Sequence, residues 1–174
     1  MITLISGTNR PNSLTSQFAK IYFVLLQEHY PNAKFFDLES LPVEVLHADV
    51  YQKGLKPEAI LKIQQEIFQP TEKFIFVFPE YNGSFPGILK LLIDVMDPRI
   101  AFSGKKAALI GISTGRAGNL RGMDHLAAVM NHMNVHVLPF LLPISGVQHE
   151  MDQNSFKDPT EKLVNQQLAQ ILAF

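Results

Sequence analysis

Short apolar runs alternate with amphipathic stretches along almost the whole chain. Ile2–Ser6 is apolar and stops at Gly7, the pattern of a buried strand entering a sharp turn. Ser13–His29 carries Phe18, Ile21, Tyr22, Leu25 and Leu26 at three- and four-residue spacing. That spacing predicts a helix with Ser13 as N-cap and Pro31-Asn32 as its stop. Lys34–Leu38 reads as a second, brief strand, and Glu39–Lys56, broken by Pro42 and Gly54, has no period and stays unassigned. Pro57–Phe68 opens with proline in a first helical turn and ends before Pro70. Lys73–Phe78 (K-F-I-F-V-F) is continuously β-branched and aromatic, as a strand buried on both faces must be. Beyond it the pattern predicts a helix at Gly87–Met96, a strand at Lys105–Ile112 and a helix at Asn119–Met133. A fifth strand at Val135–Leu138 and a closing helix at Thr160–Phe174 complete the series.

Strands and helices that alternate in this way predict an α/β parallel sheet with helices on both faces. Five strands in 174 residues fit a flavodoxin-like doubly wound sheet of order 2-1-3-4-5, expected to occupy residues 1–174 as one domain. No internal repeat or linker interrupts it. The stretch Leu138–Ile144 is expected in the core.

Composition narrows the function classes. The net charge is -1 and the Lys and Arg residues are dispersed, so no basic run offers itself to nucleic acid. Cysteine is absent, which removes disulfides, thiolate metal sites and a catalytic thiol, and suits a cytoplasmic protein. No basic region precedes the apolar Ile2–Ser6, so no signal peptide is expected there, and no apolar run is long enough to span a membrane. Six histidines are present, yet no two share a helix at four-residue spacing, so no metal site is expected. His47 and Asp49, in the unassigned connection, are candidates for the border of a pocket.

Parallel strands leave a sheet at one edge, so the loops after strands one, three and four converge there. The first, Gly7-Thr8-Asn9-Arg10-Pro11-Asn12-Ser13-Leu14-Thr15, ends on a helix N-terminus, whose free N–H groups attract phosphate. Thr8, Ser13 and Thr15 add hydroxyls and Arg10 a guanidinium fork. An ordinary capped turn would look much the same, and neither G-x-G-x-x-G nor a P-loop motif is present. The second loop, Pro79-Glu80-Tyr81-Asn82-Gly83-Ser84-Phe85-Pro86-Gly87, offers an aromatic ring and a Gly backbone to a flat heterocycle. Its aromatics serve equally well as plain packing.

The segment P-E-Y-N-G-S-F-P-G-I-L-K-L-L-I-D strongly resembles a motif of the NADPH-dependent FMN reductase family, which includes azo-, quinone- and chromate-reducing flavoproteins. The opening I-S-G-T-N-R-P-N-S-L-T also resembles that family's phosphate loop. The resemblance implies bound FMN, with NADPH or NADH as co-substrate and a small-molecule electron acceptor. It also implies a homodimer or homotetramer. Carried over residue by residue, it assigns the phosphate to Thr8, Arg10, Ser13, Leu14 and Thr15. Pro79, Glu80, Tyr81, Asn82 and Gly83 would line the isoalloxazine, with Ser113, Thr114, Gly115 and Gly118 on its pyrimidine side. Two departures fall in the first loop, where the family usually has Asn in place of Thr15 and Gly near Asn12.

Two alternatives stand beside this. Gly111-Ile112-Ser113-Thr114-Gly115 matches the G-x-S-x-G nucleophile elbow, with Asp124 and then His132, His136 or His149 in hydrolase order. No H-G-G-G oxyanion segment accompanies it. A one-electron carrier of the flavodoxin type is the other, although such carriers tend to be strongly acidic and to clamp the ring with Trp. This chain has net charge -1 and no Trp. On the same fold, a flavin-free interaction module is a third possibility.

Overall fold

The computed structural model describes residues 1–52 and 54–174. Its parallel sheet runs β2-β1-β3-β4-β5, built from β1 (Ile2–Ser6), β2 (Lys34–Asp37), β3 (Lys73–Pro79), β4 (Lys106–Ile112) and β5 (His136–Val137). A further strand, β6 (Leu142–Ile144), also pairs with β4. The strand order reverses between β1 and β3, which opens a crevice at their carboxyl ends.

Side chains of β3 divide cleanly between the two faces. Phe74, Phe76 and Phe78 enter one core and Ile75 and Val77 the other. The aromatic core packs under α2 (Glu58–Ile63), α3 (Gly87–Val95) and α5 (Leu120–His132), through residues such as Ile60, Leu92 and Leu126. The other lies under α1 (Leu14–His29) and the closing helix, here α6 because the short α4 (Pro98–Ala101) precedes α5. From α1 come Phe18 and Tyr22, and from α6 (Asp158–Ala173) come Val164 and Leu168. Both sheet faces are therefore covered, as a doubly wound sheet requires.

Three sequence expectations need correction. The fifth strand is not Val135–Leu138 but two pieces, β5 and β6, separated by Leu138-Pro139-Phe140-Leu141. Proline lacks the N–H that a continuous ladder needs. The gap is filled from α6: buried Gln167 donates from Nε2 to the carbonyls of Leu109 and Phe140, each at 3.1 Å. The helix predicted over Pro57–Phe68 is α-helical only to Ile63 and widens to a π-turn over Gln64–Phe68. In that turn buried Gln64 accepts the Asp97 backbone N–H at 2.8 Å. The unassigned connection holds three single-turn 3-10 helices, at Leu38–Ser40, Val43–Leu46 and Ala48–Tyr51, which pin Val45 and Val50 into the core. Smaller shifts place the end of β2 at Asp37 and the start of α6 at Asp158.

Helix C-termini meet strand starts at the amino edge of the sheet, and lysines join them. Lys73 Nζ donates to the carbonyls of Ile171 and Leu172 at 3.0 and 2.8 Å, and Lys105 Nζ to Phe68 and Gln69 at 2.5 and 3.2 Å. Lys106 reaches the Phe174 carbonyl. Each cation sits where unpaired carbonyls concentrate negative charge.

Candidate cofactor site at the carboxyl edge

The first loop leaves β1 through Gly7, whose N–H donates to the Val77 carbonyl at 2.8 Å. A Cβ at position 7 would fall 2.8 Å from Phe78 Cβ, so only glycine lets the chain turn this close to β3. Asn12 then adopts φ 54°, the left-handed region that Asn tolerates better than most residues. The family's usual Gly near this position is thereby replaced without losing the turn. Ser13 caps α1, accepting the Ser16 N–H at 3.0 Å, and Ser16 Oγ donates to Asp37 Oδ2 at 2.6 Å.

The second loop is a two-residue reverse turn. Tyr81 N–H donates to Ser84 O at 2.9 Å and Ser84 N–H to Tyr81 O at 3.1 Å, with Asn82 and Gly83 at φ 53° and 79°. This is the I′ geometry that Asn-Gly favours. Ser84 Oγ pairs with His125 Nδ1 on α5 at 2.9 Å, anchoring the turn to the neighbouring helix. Glu80 N–H donates to Ile112 O at 3.0 Å and so extends the β3–β4 pairing into the loop.

The third loop is braced by Ser113. Its Oγ accepts the Gly118 N–H at 3.0 Å and donates to the Gly115 carbonyl at 3.1 Å. Gly118 itself sits at φ 54°, where a Cβ would lie 2.7 Å from Pro143 Cβ of β6. Buried Asn119 donates from Nδ2 to Phe78 O at 3.2 Å and links this loop to β3. The nucleophile-elbow alternative finds no support in this geometry. Ser113 is turned into its own loop, where its Oγ bonds only to Gly115 and Gly118 among the described residues. His132 at the end of α5 and His136, paired in register with Lys106, lie at the opposite edge of the sheet. His149, in the 3-10 turn after β6, makes no hydrogen bond to Ser113 Oγ.

The loops enclose a cavity of about 500 Å³, within the range of roughly 300–1,000 Å³ usual for small-molecule sites. Arg10, Ser13, Leu14 and Thr15 line it from the first loop, Pro79, Glu80, Tyr81 and Asn82 from the second, and Thr114 from the third. Three further residues line it that sequence reasoning did not assign: Pro11, Ile112 and Val147. Val147 follows β6, so a fourth loop reaches the same edge. Its signal was the Ser145-Gly146 turn after an apolar run. Of the remaining candidates, Thr8 stands behind Tyr81 and Gly83 is not in the lining, while Ser113, Gly115 and Gly118, also outside the lining, shape the third loop. His47 and Asp49 do not border it. They lie at the last of the 3-10 turns.

The cavity's chemistry is graded along the sheet. At the β1 side it has a helix N-terminus, hydroxyls and the guanidinium of Arg10. Toward β4 and β6 it has Pro79, Ile112 and Val147 with Thr114. A phosphate at one end and a flat, largely apolar ring at the other fit this gradient, so the donor set suits FMN.

Comparison with known proteins agrees with this geometry. An NAD(P)H-dependent FMN reductase of Pseudomonas aeruginosa is 35% identical over 138 residues, covering 76% of this chain and 72% of the relative. An FMN-dependent NADPH-azoreductase of Staphylococcus saprophyticus is 27% identical over 176 residues, 94% of this chain and 85% of its own. In fold, the chain matches FerB, a flavoenzyme NAD(P)H:(acceptor) oxidoreductase from Paracoccus denitrificans. That match has a TM-score of 0.77 at 21% identity and covers 99% of this chain and 94% of the other. The family model for NADPH-dependent FMN reductases matches residues 1–148. The chain belongs to the NADPH-dependent FMN reductase family.

Proposed function

We propose that this chain, as a single unit over residues 1–174, binds FMN in the carboxyl-edge cavity and reduces small oxidised acceptors such as quinones, azo compounds or free flavin. The observation that carries this is the single cavity that puts Arg10 and the start of α1 beside β1 and an apolar shelf beside β4. FMN held there by these loops would supply the two-electron hydride chemistry that links NAD(P)H to the acceptor.

The chain's own residues have binding and positioning roles. Arg10, Ser13 and Thr15, with the free N–H groups of α1, hold a dianionic phosphate. Pro79, Glu80 and Asn82 support the ring, with the Asn82-Gly83 turn kept rigid by its paired backbone hydrogen bonds. Thr114 and the third-loop backbone offer polar contacts to the ring's carbonyl side. No protein acid or base is required by this scheme. The relatives' reductase activities and the absence of Trp favour a reductase over a one-electron carrier. We further propose a cytoplasmic homodimer or homotetramer.

The test is direct. Protein reconstituted with FMN should show a flavin band that bleaches when NADPH or NADH is added without oxygen and returns when a quinone follows. Failure to bind FMN sinks the proposal. Binding without reduction by either nicotinamide points to the carrier instead.

A further inference from the structure

Tyr81 ties the second loop to the first. Its hydroxyl lies 2.7 Å from Thr8 Oγ1, a contact between residues 73 positions apart. Buried Thr8 is committed further, because the same Oγ1 accepts the Arg10 backbone N–H at 3.3 Å. The Arg10 side chain then folds back so that its guanidinium carbon rests 4.1 Å from the centre of the Tyr81 ring. Three residues thus close a circuit: Thr8 holds the backbone of Arg10, Tyr81 holds Thr8, and Arg10 stacks on Tyr81.

Two further facts give the circuit a purpose. Among the described residues Arg10 makes no ion pair, so nothing but the phenol ring restrains its guanidinium at the cavity. The turn beneath Tyr81 is stiff, doubly hydrogen-bonded across Asn82-Gly83 and pinned to α5 through Ser84 and His125. A long side chain held in place before its ligand arrives loses less freedom on binding. One face of the ring is already covered by Arg10, and its hydroxyl is directed at the first loop.

We infer that Tyr81 is a positioning residue for the phosphate end of the cofactor, although it stands on the loop that supports the ring. Through Thr8 and by stacking it presets Arg10, so that the second loop sets a phosphate donor of the first. This rests on the FMN site proposed above. Riboflavin, which lacks only the phosphate, separates the two ideas.

The experiment is fluorescence-quenching titration of the full-length flavin-free protein with FMN and with riboflavin. The variants are Tyr81→Phe, Tyr81→Leu, Arg10→Gln and the double variant Arg10→Gln/Tyr81→Leu, each checked for native circular dichroism. Tyr81→Phe keeps the stacking face and loses the hydroxyl, so the FMN Kd should rise by about three- to tenfold. Tyr81→Leu loses both and should raise it by about ten- to thirtyfold. The riboflavin Kd should stay within about twofold for both, since neither contact reaches the ring end. On the Arg10→Gln background, Tyr81→Leu should add less than about threefold, because the two residues act together. Equal losses for FMN and riboflavin would overturn the inference and return Tyr81 to a ring contact. So would a double variant whose losses simply multiply. Wild-type protein that binds riboflavin and FMN equally well overturns it too while leaving a flavin site intact, whereas binding neither removes the FMN site and the inference together. The phenylalanine variant keeps the fold's aromatic packing, so a misfolded leucine variant still leaves the hydroxyl contribution measurable.

Discussion

Ser113 and Arg10 both occupy loops at the carboxyl edge, yet they meet opposite fates. The hydroxyl of Ser113 is bound on both sides within its own loop, to Gly118 and Gly115. Replacing Ser113 with alanine leaves the Gly118 N–H without its partner, at a cost of about 1–3 kcal/mol in stability. Chemical denaturation should show that loss while NAD(P)H-dependent reduction persists, and no esterase turnover should be present to lose. Arg10 instead faces the cavity and, among the described residues, forms no ion pair. Its replacement by glutamine should leave stability nearly unchanged but weaken FMN binding by about 1.5–3 kcal/mol, the worth of a charge-assisted contact. At this scale the sequence was legible wherever chemistry and position coincide. A guanidinium in a turn before a helix has few structural uses, so Arg10 stood out. Ser113 stood out for the wrong reason, because a five-residue motif records spacing and not the direction in which a hydroxyl points. Thr8 was visible as a hydroxyl but not as the partner of Tyr81, since nothing local connects residues 73 positions apart.

Elements depend on contacts that cross between them. Gln167, on α6, answers two carbonyls that the interrupted fifth strand leaves open. Leucine there would match its bulk and remove both hydrogen bonds, destabilising the fold by about 2–4 kcal/mol. Urea unfolding should show a lower midpoint with an unchanged slope. Lys105 carries the other test. Burial pushes its ammonium down from 10.5 to about 8, despite the two carbonyls it meets. Below about pH 8 both folded and unfolded chains hold this proton, and the penalty of burying the charge is present in full. Between about 8 and 10.5 the unfolded chain retains more proton than the folded one, so this group makes stability rise with pH. Lys105→Met should flatten that rise, measured as the difference between the two melting-temperature profiles. The strands and helices themselves were readable from period and breakers, because β3 and α1 carry unambiguous patterns. The fifth strand was not, because Pro139 and the glutamine that repairs the gap lie far apart in the chain. The π-turn at Gln64–Phe68 was hidden for a similar reason: Gln64 is fixed by Asp97, which local periodicity does not see.

The whole molecule places its ligand chemistry at one rim of the sheet. Binding there should stabilise the native state by mass action. At FMN a hundredfold above its Kd the gain is about 2.7 kcal/mol. For a domain of this size each kcal/mol moves the melting temperature by about 2–4 °C, so a rise of roughly 5–11 °C is expected in a thermal melt. Riboflavin at the same concentration should give less, because it leaves Arg10 unanswered. The parallel sheet and the convergence of its loops followed from strand alternation, and the strand order from the fit of five strands to a flavodoxin-like sheet. The fourth loop, which brings Val147 to the cavity, depends on where the split fifth strand ends and so escaped the same logic.

The segregation of basic side chains has a practical consequence. Three of the four arginines, Arg10, Arg116 and Arg121, belong to the ligand rim or the first turn of α5 beside it. Lysines that meet helix ends, among them Lys73, Lys105 and Lys106, belong to the far rim. Covalent labels that distinguish guanidines from amines therefore act as separate probes of one protein. A dicarbonyl reagent should abolish flavin capture in molecules that still melt normally, with added FMN protecting against it. An acylating reagent should lower the melting temperature first, and FMN should shield little.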